Sequence, residues 1–111
     1  ENIPGYFSLA NGRWFTLTLC EQLGNVGSEV GRALNWQKKN NPEYFQKAAD
    51  RALELLDLTV SDPRWSNRLK EILLSRNLVA DYFYGQNEFQ ETPEKLEKYF
   101  HYFAVAARKS R

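Results

Sequence analysis

The chain has 111 residues, 42% apolar and 26% charged, the balance of a single globular domain with its own core rather than of a disordered segment. Fifteen Lys and Arg against fourteen Asp and Glu leave a net charge of +1, which argues against a strong general nucleic-acid binder but leaves room for a small local patch. The single cysteine, Cys20, excludes an internal disulfide, and a reduced, cytoplasmic setting is the simplest expectation.

Residues 1–13, ENIPGYFSLANGR, contain Pro4, Gly5 and Gly12 and read as an irregular arm whose Ile3, Tyr6, Phe7 and Leu9 pack on something. They carry no basic stretch followed by an apolar run, so no signal peptide is expected there. No later stretch approaches the roughly 18 uninterrupted apolar residues of a membrane helix, so no membrane role is expected.

From Trp14 to about Trp36 the apolar residues Phe15, Leu19, Leu23, Val26, Val30 and Ala33 recur at helical spacing. Asn41-Pro42-Glu43 then reads as a helix start: a capping residue, Pro at the first helical position and an acid in the first turn. A second stripe follows at Phe45, Ala49, Ala52 and Leu56, flanked by Ala48, Leu53 and Leu55, and is expected to end near Leu58 or Thr59. Asp62-Pro63 repeats the start signal before a third stripe, Trp65, Leu69, Ile72, Arg76, Val79 and Phe83, which Gly85 stops in the position of a left-handed capping glycine. QNEFQE is a loop. Thr92-Pro93-Glu94 opens the last stripe, Leu96, Tyr99, Phe100, Phe103 and Ala107, and the basic end ARKSR suits a helix C-terminus. Four helical segments, short links and no strand alternation predict an all-α antiparallel four-helix bundle at 14–111, preceded by the arm at 1–13.

GNVGSEVGRA on the first helix fits neither dinucleotide nor P-loop spacing, and no strand precedes it. Three glycines inside a helix cost about 1 kcal/mol each, so their placement asks for a reason. Cys20, Gly24, Gly27 and Gly31 step by helical intervals into a stripe of small residues that lets another helix approach closely, either a helix of the same bundle or one from a second copy. Asn25, Glu29 and Arg32 form a polar row, read either as a solvated face with a local ion pair or as the source of a carboxylate, Glu29, that meets Arg76 across helices. Asp50, Glu54 and Asp57 form an acidic edge on the second helix, and with Lys47 and Arg51 among them a solvated face is expected. His101 is the only histidine and reads as a surface or interface residue; Cys20 reads as a buried structural thiol. Nothing in the spacing of His, Cys and acids marks a metal site, and no cofactor is expected.

Arg76 falls where a Leu or Ile would continue the third stripe. Asp81, five residues on, lies about 140° around the helix, so the two do not form an ion pair within one chain. The segment RNLVADYFYG, Arg76 to Gly85, resembles the R-N-x-x-x-H-x-Y segment of HEPN domains. The resemblance implies small dimeric helical bundles in which two copies of the Arg, polar and His residues meet at the interface. Active members of that family cleave RNA without a metal, many are paired with minimal nucleotidyltransferases in toxin–antitoxin modules, and others serve as non-catalytic scaffolds. Arg76 matches the motif arginine and Asn77 the polar residue after it. Asp81 stands where the histidine should be, and Phe83 replaces the tyrosine, with Tyr82 and Tyr84 beside it. An aspartate with an ordinary pKa near 4 is a poor general acid where a histidine near 6.5 serves. The expectation is therefore a non-catalytic interaction or scaffolding bundle, homodimeric, with Arg76, Asn77, Asp81, Tyr82 and Glu29 around its groove and Gly24, Gly27 and Gly31 at a close-packed face. The second reading is RNA-directed, as binding or weak ribonuclease activity, with a nucleotidyltransferase as a further candidate partner.

Overall fold

The computed structural model describes residues 12–109, so most of the arm predicted at 1–13 lies outside the described residues. Four α-helices form the antiparallel bundle: α1 (Leu19–Lys38), α2 (Pro42–Ser61), α3 (Leu69–Tyr84) and α4 (Pro93–Lys109). Among the described residues there is no strand, and no helix is long and apolar enough to cross a membrane. Helix α1 is the centre of the arrangement, packed on α2 along one side and α4 along another, while α3 rests chiefly on α2.

The caps explain the boundaries. The Asn41 side chain accepts the Tyr44 N–H (3.2 Å), with Pro42 as first helical residue, and Thr92 Oγ1 accepts the Lys95 N–H (3.1 Å) ahead of Pro93. The predicted first helix divides. Trp14–Thr16 is a 3₁₀ turn, and α1 begins only after Thr18, whose side chain accepts the Glu21 N–H while Glu21 accepts the Thr18 N–H. This reciprocal capping box outweighs the helical spacing of Phe15 and Leu19, which reads straight through it. Helix α2 runs to Ser61, beyond the expected end at Leu58 or Thr59. Asp62-Pro63 does cap a helical turn, with Asp62 Oδ1 accepting the Arg64 N–H (3.0 Å). It opens a 3₁₀ stretch, Pro63–Arg68, kinked at Trp65, and α3 starts at Leu69. Gly85 closes α3 through its N–H to Ala80 and Asp81 carbonyls but with φ −99°, so it is not the left-handed cap expected of it.

Leu19, Leu23, Val26 and Val30 from α1, Ala52, Leu55 and Leu56 from α2, Ile72, Leu78 and Val79 from α3, and Leu96, Phe100 and Phe103 from α4 build one core with Trp14 sealing its end. The third stripe is rotated from its predicted phase. Ile72, Ser75, Leu78 and Val79 are the buried residues of α3, whereas Leu69 is exposed and Arg76 lies at the margin. Arg76 therefore does not occupy a core position.

Candidate functional site

Arg76 turns toward α2. Its Nε donates to Asp57 Oδ1 at 2.6 Å, across a half-exposed edge. Two turns further along the same seam the Tyr84 hydroxyl donates to Asp50 Oδ1 at 2.6 Å. The acidic edge of α2 is solvent-exposed at Asp50 and Asp57, as expected, and these two carboxylates also accept hydrogen bonds from α3. Glu54 lies between the two, and burial, then repulsion by Asp50 and Asp57 against attraction by Arg51, raises its carboxyl above the usual range. Burial and the Asp50 hydrogen bond push the Tyr84 phenol up to about 12. Below the seam Phe45 meets Phe83 edge-on at 5.4 Å between ring centroids.

Glu29 does not meet Arg76. It is buried on α1, where Oε2 accepts Arg32 Nη1 at 2.7 Å and lies 3.5 Å from Arg51 Nε, a charge contact without hydrogen-bond geometry. Two arginines, one local and one from α2, offset the cost of burying this carboxylate.

Asp81 has a structural occupation. Oδ1 accepts the Glu88 N–H and Oδ2 the Phe89 N–H, both at 3.0 Å, and its carbonyl accepts the N–H groups of Gly85 and Asn87. One aspartate therefore satisfies the backbone of the turn after α3, where Asn87 takes a left-handed φ of 55°. The side chain in the motif's histidine position faces the loop of its own chain. Asn77 is exposed, and Tyr82 is half-buried, its phenol raised by burial first and by Glu94 second.

The glycine stripe finds its partner within the bundle. A Cβ on Gly27 would lie 2.6 Å from Phe100 Cβ, and one on Gly24 3.3 Å from Ala104 Cα, so these two positions let α4 approach α1. Gly31 faces open space, with no described atom within 4 Å of such a Cβ. Cys20 is half-buried at the core margin rather than enclosed, and His101 is exposed. Among the described residues no group of His, Cys, Asp and Glu could hold a metal ion.

The most elaborate polar cluster was not visible in the sequence. Gln22, fully buried on α1, donates from Nε2 to the Trp14 carbonyl (2.9 Å) and Asp62 Oδ2 (3.1 Å) and accepts from Trp65 Nε1 (2.9 Å). Asp62 also receives Arg64 Nη2 at 2.7 Å, and Arg64 Nη2 reaches the Leu17 carbonyl at 2.7 Å while its guanidinium covers the Trp65 ring. Hydrogen bonding to Arg64 holds the Asp62 carboxyl below its ordinary value despite burial. The cluster ties the 3₁₀ turn before α1 to the α2–α3 connection.

The outer side of α3 is different. Leu69, Leu73 and Leu74 project from one and a half turns at 39%, 38% and 45% exposure, beside the ion pair of Arg68 with Glu71. Single exposed leucines are ordinary on a protein surface; here three lie within six residues of one helix.

No family model matches the chain, nor does any curated protein or solved structure.

Proposed function

We propose that this chain is a non-catalytic interaction module of degenerate HEPN-like type that works as a homodimer, with the exposed leucine face of α3 as the surface shared by the two copies. The observation that carries the non-catalytic half is the employment of the motif residues: Arg76 is bound to Asp57 and Asp81 to the amides of Glu88 and Phe89. A histidine is the side chain that exchanges a proton near neutral pH, and the chain has none at position 81. The dimer half is supported by Leu69, Leu73 and Leu74, since a two-fold interface buries the same patch on both subunits and needs one apolar face only.

Incubation with unstructured RNA in the presence of a chelator tests the non-catalytic half. Wild type and Asp81→His are both expected to leave the RNA intact, because the substitution removes the carboxylate that holds the turn after α3 and so does not present an ordered imidazole. Cleavage by the wild type that disappears in Arg76→Ala would overturn the reading.

A further inference from the structure

The turn between α1 and α2 carries an aromatic pair. Trp36, near the end of α1, and Tyr44, in the first turn of α2, meet edge-on with ring centroids 4.9 Å apart. Beside them lies an open cavity of about 370 Å³ lined by Trp36, Gln37, Asn40, Asn41, Pro42 and Phe45. Small-molecule sites begin at roughly 300 Å³ and combine apolar walls with a few polar groups that fix orientation. Here the lining is almost wholly apolar, with Trp36, Pro42 and Phe45 among it, and the side-chain amides of Gln37, Asn40 and Asn41 stand at its edge, those of Gln37 and Asn40 exposed to solvent.

Those amides have capacity to spare. Among the described residues the side chains of Gln37 and Asn40 make no hydrogen bond, and Asn41 commits only its Oδ1, to the Tyr44 N–H. The backbone beneath them is fixed: the N–H groups of Lys39, Asn40 and Asn41 donate to the carbonyls of Asn35, Gln37 and Trp36. Asn40 is held at φ 57°, a left-handed conformation that asparagine tolerates better than most residues. Cations stand at the aromatic rim, with Lys39 Nζ 5.4 Å from the Trp36 ring centroid and Lys47 Nζ 5.6 Å from that of Tyr44. The acid in the same turn, Glu43, lies 3.5 Å from Lys47 with both side chains exposed.

A flat ring with apolar faces, a hydrogen-bonding edge and a nearby negative charge answers each of these features. We propose that this turn is a nucleotide site: the base enters the cavity against Trp36 and Phe45, the amides of Gln37 and Asn40 take its edge, and Lys39 and Lys47 take its phosphates. Carboxamides pair with the donor–acceptor edges of purines, and stacking on an aromatic side chain adds binding without demanding one base. The overall charge of +1 fits a local site better than a surface that tracks a long backbone. The site is separate from Arg76 and does not depend on the reading of α3.

ADP and a short oligoadenylate serve as probes in NMR titrations of the whole chain. Expected for ADP is a saturable shift of the Trp36 indole N–H and of the Gln37 and Asn40 side-chain amides, with Trp14 and Trp65 unmoved. Equal response to ADP and the oligonucleotide identifies the free nucleotide as the ligand. A response at least tenfold stronger for the oligonucleotide identifies an unpaired nucleotide within a strand. Trp36→Ala should weaken binding about tenfold or more. Asn40→Gly keeps the left-handed turn while deleting the amide, so it tests the site even if Trp36→Ala disturbs the fold. It should weaken binding several-fold, as should Lys39→Gln combined with Lys47→Gln. The proposal is overturned if wild type shows no shifts at millimolar ADP or oligonucleotide. Binding undiminished in Asn40→Gly and in the lysine pair, or lost in Arg76→Ala instead, overturns it as well.

Discussion

Asp62 and Asp81 show how a carboxylate can be conspicuous for structural reasons. Asp62 is buried and accepts from Gln22 and Arg64, which join α1 to the α2–α3 connection. Deleting it leaves Arg64 with the Leu17 carbonyl alone and the Gln22 amide with the Trp14 carbonyl alone, and Asp62→Ala should cost about 1–2 kcal/mol in urea unfolding. The pH dependence has a definite sign. Arg64 lowers the Asp62 carboxyl from its ordinary 3.8, so the folded state binds the proton less readily than the unfolded chain. The contribution is fully present above 3.8 and is lost as pH falls toward the lowered value, so the gap between wild type and Asp62→Ala should narrow on acidification below 3.8. Neither role was visible beforehand. Gln22 and Asp62 are forty residues apart, and nothing local announces that they meet. Asp81 bonds to amides seven and eight residues on, across a turn whose geometry the loop composition alone does not define.

Helices α1 and α3 separate what local pattern specifies from what it leaves open. The starts of α2 and α4 follow from Asn41-Pro42 and Thr92-Pro93, because a cap is a contact between near neighbours. The phase of α3 was misread because Leu69, Ile72, Leu73, Leu74, Leu78, Val79, Tyr82 and Phe83 surround it with apolar residues, so two stripes one residue apart fit the spacing almost equally well. The stripe that is buried runs through Ser75, whose hydroxyl bonds to the Tyr99 hydroxyl of α4, and Arg76 falls at the edge. The spacing of the α1 glycines marks a close-packing stripe, and the structure assigns Gly24 and Gly27 to α4 and leaves Gly31 open. The two kinds of position should respond in opposite directions to alanine. Gly27→Ala forces a Cβ to within 2.6 Å of Phe100 Cβ, so α4 must shift, at a cost of about 1–3 kcal/mol. Gly31→Ala meets nothing and should stabilise by up to about 1 kcal/mol through helix propensity alone. Thermal or urea unfolding of the two variants reads both signs, and destabilisation by Gly31→Ala would mean that this face is covered in solution.

The whole molecule divides its polar and apolar residues between two tasks. Arg76 and Asp81, polar residues of segment 76–85, hold the chain's own elements in place, while Leu69, Leu73 and Leu74 of α3 are exposed. Helix α3 rests chiefly on α2, which leaves its outer side available to a second copy. Light scattering across a range of concentrations, on wild type, on Leu73→Glu combined with Leu74→Glu, and on Arg76→Leu, tests that division. The account predicts a wild-type dimer, a folded monomer when the two leucines become glutamates, and a dimer in Arg76→Leu, which loses only a half-exposed ion pair worth less than about 1 kcal/mol. A wild-type monomer at every concentration, or a dimer that survives the two glutamates and dissociates in Arg76→Leu, would contradict it.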